Sequence, residues 1–121
     1  MDARTVLVVD DDAAIVGLLR EMLEDHGYRV LSAAGGEALR LARETHPAVI
    51  LLDLLMPGMD GFMVARCLRR DPATAHIPII AMSAARRLWA AAPRLPADAL
   101  LAKPFHFGDV CALVDHWMPA A

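Results

Sequence analysis

The sequence predicts an α/β protein, a parallel sheet of five strands with helices on both faces. Two observations carry that prediction. Five short apolar runs alternate with longer stretches whose apolar residues recur at helical spacing. The runs at Val6–Val9 and Val49–Leu52 are continuous, the pattern of strands covered on both sides. A third observation says where such a sheet would work. Three runs stop at polar residues, at Asp10-Asp11-Asp12, at Asp53 and at Lys103. In an open α/β sheet, ligands and chemistry gather at the carboxyl ends of the strands.

Each element has its own signal. Thr5 to Val9 is the first predicted strand. Ala13 to His26 is the first helix, with Ile15, Leu18, Leu19, Met22, Leu23 and His26 on one face and Gly27 to end it. Tyr28 to Ala33 is the second strand. Gly36 to Thr45 is the second helix, with Glu37, Arg40, Arg43 and Glu44 toward water, broken by His46-Pro47. Ala48 to Asp53 is the third strand, and a turn through Pro57, Gly58, Asp60 and Gly61 follows. Gly61 to Arg70 is the third helix, and Ile77 to Ser83 holds the fourth strand. Ala84 to Pro96 is ambiguous. Ala99 to Ala102 is the fifth strand, and Phe107 to Met118 the last helix, with Val110, Leu113, Val114 and Trp117 as its apolar stripe.

Composition bounds the function. The chain has 121 residues, 57% of them hydrophobic, and a formal charge of −3. That predicts one domain, residues 1–121, with ample core. The mild charge gives no reason to expect a nucleic acid or a membrane surface as partner. With no signal peptide and no apolar run of membrane-spanning length, the sequence predicts a soluble cytoplasmic protein. Cys67 and Cys111 read as small buried thiols. The five histidines lack metal-ligand spacing and read as structural or surface groups.

Asp10, Asp11 and Asp53 would converge if the first and third strands are neighbours. Several carboxylates in one place repel each other and persist where a hard cation neutralises them; oxygen donors with few protein contacts suit Mg²⁺. An aspartate can act as a nucleophile and form an acyl phosphate. Phosphoryl transfer needs positioning and charge neutralisation, which Mg²⁺ and Lys103 would supply. Ser83, at the end of the fourth strand, is placed to bind a phosphoryl oxygen.

These residues, with Asp53-Leu54-Leu55-Met56-Pro57-Gly58-Met59-Asp60-Gly61 and Lys103-Pro104-Phe105, resemble a stand-alone response-regulator receiver domain of two-component signalling, over essentially the whole chain. The resemblance implies a flavodoxin-like sheet of order 2-1-3-4-5. It implies that Asp53 is the phospho-acceptor, that Asp11 binds the metal directly and that Asp10 acts through water. The backbone carbonyl of Leu55 would complete the protein's metal ligands. Ser83 would be the switch hydroxyl and Lys103 the phosphate-contacting lysine, followed by a cis proline. A sensor histidine kinase or histidine phosphotransfer protein would be the donor.

Three departures from the family pattern stand out. The position three before the lysine, usually an aromatic switch residue, is Leu100. The segment from Ser83 to Leu100 is short and contains Pro93 and Pro96, and a proline inside a helix costs ~3 kcal/mol. An irregular fourth helix is therefore expected. Ala84 to Ala97 carries Arg86, Arg87, Arg94 and Trp89 and no acid, so the signalling face expected from the fourth helix, fifth strand and fifth helix is apolar and basic. Trp89 with Arg86 and Arg87 reads equally as a docking patch or as a short helix with solvated arginines. Asp12 reads as a helix cap, Asp60 as a turn residue, and His106 as a cap of the last helix.

Three functions compete on this sequence. The first is a phosphorylation-controlled switch in a phosphorelay. The second is a binding module that works without phosphorylation, or a phosphate sink or relay. The third is an aspartate-nucleophile phosphatase, which would need an acid two residues after Asp53, where Leu55 stands. Leu55 and Ala85, flanking the centre, offer no polar help to hydrolysis. The chain would catalyse only its own phosphorylation and dephosphorylation.

Overall fold

The apolar runs become the strands of one central sheet. A computed structural model of the chain describes residues 4–56, 59–84 and 96–119. Its elements are β1 (Thr5–Val9), α1 (Ala13–Asp25), β2 (Arg29–Ala33), α2 (Ala38–Thr45), β3 (Val49–Asp53), α3 (Gly61–Arg70), β4 (Ile79–Ser83), β5 (Ala99–Ala102) and α4 (Phe107–Trp117). The last of these is the fifth helix that the sequence predicts. The expected irregular fourth helix, with Ala85, Arg86, Arg87 and Trp89, falls in 85–95, outside the described residues. All pairings within this five-stranded sheet are parallel, in the expected order β2-β1-β3-β4-β5.

Alternation along the buried strands divides the core in two. Val6, Val8, Leu51, Ile80 and Met82 point to one side, where Leu19 and Leu23 of α1 and Val110, Cys111 and Val114 of α4 cover them. Leu7, Val9, Ile50, Leu52 and Ile79 point to the other, under Ala38 and Ala42 of α2 and Val64, Ala65 and Leu68 of α3. Every residue of β1, β3 and β4 is buried, whereas the edge strands β2 and β5 are covered in part. Each fully buried leucine or isoleucine contributes roughly 1.5–3 kcal/mol relative to exposure.

Boundaries follow from local chemistry. Asp12 caps α1, its Oδ1 accepting from the Ala14 and Ile15 amides at 2.9 and 3.4 Å. Asp60, expected as a turn residue, ends the turn by capping α3 through the Phe62 amide at 2.9 Å. His106 occupies the cap position of α4 without a side-chain cap bond, contrary to expectation. His26 lies just past α1 as its C-cap, because Gly27 turns the chain at φ +93°. A short 3₁₀ turn, Gly35–Glu37, replaces the expected first residues of α2. β4 starts at Ile79 rather than Ile77, since Pro78 has no N–H for the ladder and the Ile77 amide is engaged by Thr74 O.

Two face predictions for α1 need correction, since His26 is exposed just past the helix end and Leu18 leaves the stripe. Leu18 is 44% exposed, and Val16 packs toward the core with Ile15, Leu19 and Leu23 instead. Successive helix residues sit about 100° apart, so Leu18 falls on the flank of the stripe. Cys67 is half-buried and Cys111 buried, both as free thiols. No helix among the described residues is long and apolar enough to cross a membrane.

Candidate functional site

β3 lies in the middle of the sheet, paired with β1 and β4, so its last residue emerges at the centre of the carboxyl edge. That residue is Asp53, only 6% exposed. Its Oδ1 accepts the Leu55 amide at 3.2 Å, which fixes the side chain against the start of the following turn. Asp10 follows β1 and is equally buried; its Oδ1 accepts the Asp12 amide at 2.9 Å. Lys103 follows β5, its backbone N–H donating to Ser83 O at 3.0 Å, and is joined to Pro104 by a cis peptide, as expected. Its Nζ donates to Asp10 Oδ2 at 3.0 Å and stands 3.5 Å from Asp53 Oδ2.

The sheet thus brings Asp10, Asp53 and Lys103 together. Ser83 is buried at the end of β4, paired in register with Ala102 beside Lys103. Asp11 is exposed, and among the described residues no group of three or more acids, histidines or cysteines is arranged to hold a metal ion. Leu55 is half-exposed at the rim. Leu100 is half-buried and packs against Leu54 and Ala81.

Charge in the site is unbalanced, with two buried carboxylates sharing one ammonium. Burial pushes the Asp53 carboxyl up from its ordinary range; the Leu55 amide and Lys103 oppose that, and Asp10 adds to it. This shortage of positive charge fits a hard cation. Mg²⁺ takes few protein carboxylates and keeps several waters; Asp10 and Asp53, with Asp11 and the Leu55 carbonyl, are the oxygen donors such an ion would use.

Sequence reasoning placed Gly61 in the turn and at the start of the third helix, without its close approach to the backbone. A Cβ there would lie 2.5 Å from Leu54 Cα and 2.6 Å from Asp53 O. The glycine therefore lets α3 begin directly against the backbone of Asp53. The intervening turn closes as a small antiparallel ribbon, Leu55–Met56 against Met59–Asp60, which the sequence did not announce. An Asp-Gly pair opening an amphipathic helix was the available signal.

Comparison with known proteins agrees with this geometry. Residues 6–115 match the response regulator receiver domain. The chain is 45% identical over 76 residues to Protein PilH of Pseudomonas aeruginosa, covering 62% of this chain and 63% of that one. It is 49% identical over 85 residues to the response regulator PleD of Caulobacter vibrioides, covering 69% of this chain and 18% of PleD. In both cases the aligned stretch spans less than two thirds of the relative's own length. A crystal structure of the receiver domain of a Pseudomonas aeruginosa sensor histidine kinase has a magnesium ion coordinated in its active-site cleft. It matches with a TM-score of 0.88 at 28% identity, over 97% of this chain and 98% of that one. Sequence match and shared fold cover nearly the whole chain, which belongs to the response regulator receiver domains of two-component phosphorelay signalling.

Proposed function

We propose that Asp53 accepts a phosphoryl group from a phospho-histidine, carried by a sensor histidine kinase or a histidine phosphotransfer protein. The observation that carries this reading is a buried strand-end carboxylate 3.5 Å from Lys103 Nζ, with Asp10 on the same ammonium. In the transfer an Asp53 carboxylate oxygen attacks phosphorus, the P–N bond breaks, and its electron pair returns to the imidazole. Asp53 must be ionised to attack; the Leu55 amide and Lys103 favour the ionised form, and burial opposes it. Mg²⁺, held by Asp10, Asp11, Asp53 and the Leu55 carbonyl, would neutralise charge on the transferring group. Lys103 then moves its hydrogen bond to a phosphoryl oxygen, and the Ser83 hydroxyl binds another.

The new charge reorganises a docking surface for a protein partner around residues 85–95, β5 and α4. The chain acts as one receiver domain over residues 1–121, in the cytoplasm, and catalyses only its own phosphorylation and dephosphorylation. A second reading is a binding module independent of phosphorylation, or a phosphate sink or relay. It is favoured by Leu100, whose aliphatic side chain is held against Leu54 and Ala81.

Transfer of labelled phosphate from a phosphorylated histidine phosphotransfer protein tests the proposal. Label should move to the wild-type chain and not to Asp53→Asn. Undiminished transfer to Asp53→Asn would remove Asp53 as the acceptor.

A further inference from the structure

One small apolar cluster lies beside the site and draws on three of the strands that lead to it. Leu54 follows Asp53 directly, Ala81 lies on β4 ahead of Ser83, and Leu100 lies on β5 ahead of Lys103. Leu54 and Ala81 are buried, with Phe62, Ala97 and Leu100 packed against them. Ala81 and Leu100 are register partners across β4 and β5. Among the described residues, Phe62 supplies the only aromatic ring in this cluster.

Phe62 is fixed at its base. Its amide donates to Asp60 Oδ1 at 2.9 Å. The residue before it, Gly61, donates to Leu54 O at 3.3 Å and has no room even for a Cβ against Leu54 Cα and Asp53 O. The first turn of α3 therefore rests directly on the backbone of Asp53 and Leu54. A shift of that backbone reaches Phe62 through atoms already in contact, because packed interiors transmit displacement rather than absorb it. Phe62 is half-buried.

We propose that Phe62 is a positioning residue of the phosphorylation switch: seated on Gly61, its ring carries displacement at Asp53 across Leu54 and Ala81 to Leu100 on β5. The inference rests on the reading of Asp53 as phospho-acceptor. Phe62 touches none of the reacting groups, so substituting it leaves the chemistry in place and uncouples β5 from it. A leucine there retains apolar contact but lacks the flat ring, and a tyrosine retains the ring.

Beryllofluoride with Mg²⁺, a stable mimic of a carboxyl-bound phosphoryl group, separates these effects. Wild type, Phe62→Leu and Phe62→Tyr are titrated, with occupancy read from the fluorine resonance of the bound mimic and the response read from the backbone amide shifts of Ala97, Ala99 and Leu100. All three proteins should bind the mimic with equal affinity. The amide shifts should appear in wild type and Phe62→Tyr and be lost in Phe62→Leu. A merely structural role would lower thermal stability and leave the bound-minus-free shifts unchanged. Full shifts in saturated Phe62→Leu would overturn the inference and leave Asp53 as acceptor. Failure of the wild-type chain to bind the mimic would overturn both.

Discussion

Asp10 and Asp53 hold Lys103 between them at 3.0 and 3.5 Å, and burial raises the Asp53 carboxyl above its ordinary value of 3.8. An acid with a raised folded pKa stabilises the fold most at low pH, below its unfolded pKa, and that contribution is lost as pH rises through the folded pKa. Ionising Asp53 thus costs stability. Asp53→Asn should stabilise the chain at pH 7 by on the order of 1 kcal/mol, which would raise the melting temperature by about 4 °C. Thermal melts should show the gap closing as pH falls through the raised pKa. Lys103→Ala should act in the opposite sense, because it leaves two buried carboxylates without their cation. A loss of about 3 kcal/mol is expected by chemical denaturation, and adding Asp53→Asn should recover part of it, since the residues share one network.

Single contacts also decide how the elements join. Tyr28, just before β2 and the chain's one tyrosine, donates its hydroxyl to Asp115 of α4. His26 Nε2 lies 2.9 Å from the same carboxylate, and the Arg4 guanidinium sits 4.4 Å above the Tyr28 ring. Burial first, then Asp115, pushes the Tyr28 phenol up to about 12. Its stabilising contribution is therefore present below the ordinary value near 10.0 and is lost as pH climbs through about 12. Tyrosinate absorbance, free of overlap from other tyrosines, should rise near that pH; a midpoint at 10 would deny the contact. Tyr28→Phe should cost about 1 kcal/mol at neutral pH by denaturant titration. At the other end of α1, Asp12→Ala should cost about 1 kcal/mol through loss of its cap and leave phosphorylation by a small donor unchanged.

Elements of this kind were legible to different degrees. The bodies of the five strands and the helix starts at Ala13, Gly61 and Phe107 were readable, because apolar period and punctuation agree there. Misreadings fell where tertiary geometry decides. The periodicity of α1 does not say that Val16 rather than Leu18 completes the buried stripe. Pro78 hides where the β4 ladder begins. The Tyr28–Asp115 contact joins residues far apart in the chain, and no local pattern announces it.

At the scale of the whole molecule, function follows from the order of the sheet. Placing β3 between β1 and β4 puts Asp53 at the centre of the carboxyl edge, and the neighbouring strands deliver Asp10 and Ser83 beside it. Lys103 arrives from β5, one strand further out, and its long side chain reaches back to both acids. The acids and the lysine were recognisable in the sequence because each ends an apolar run. Their distances, and the exposure of Asp11, belong to the fold. The most direct test is intact mass after incubation with acetyl phosphate, with and without Mg²⁺, for wild type and Asp53→Asn. The account predicts a Mg²⁺-dependent, hydroxylamine-labile phosphoryl adduct on wild type alone. An equal adduct on Asp53→Asn, or no adduct on wild type from either acetyl phosphate or a phospho-histidine donor, would contradict it.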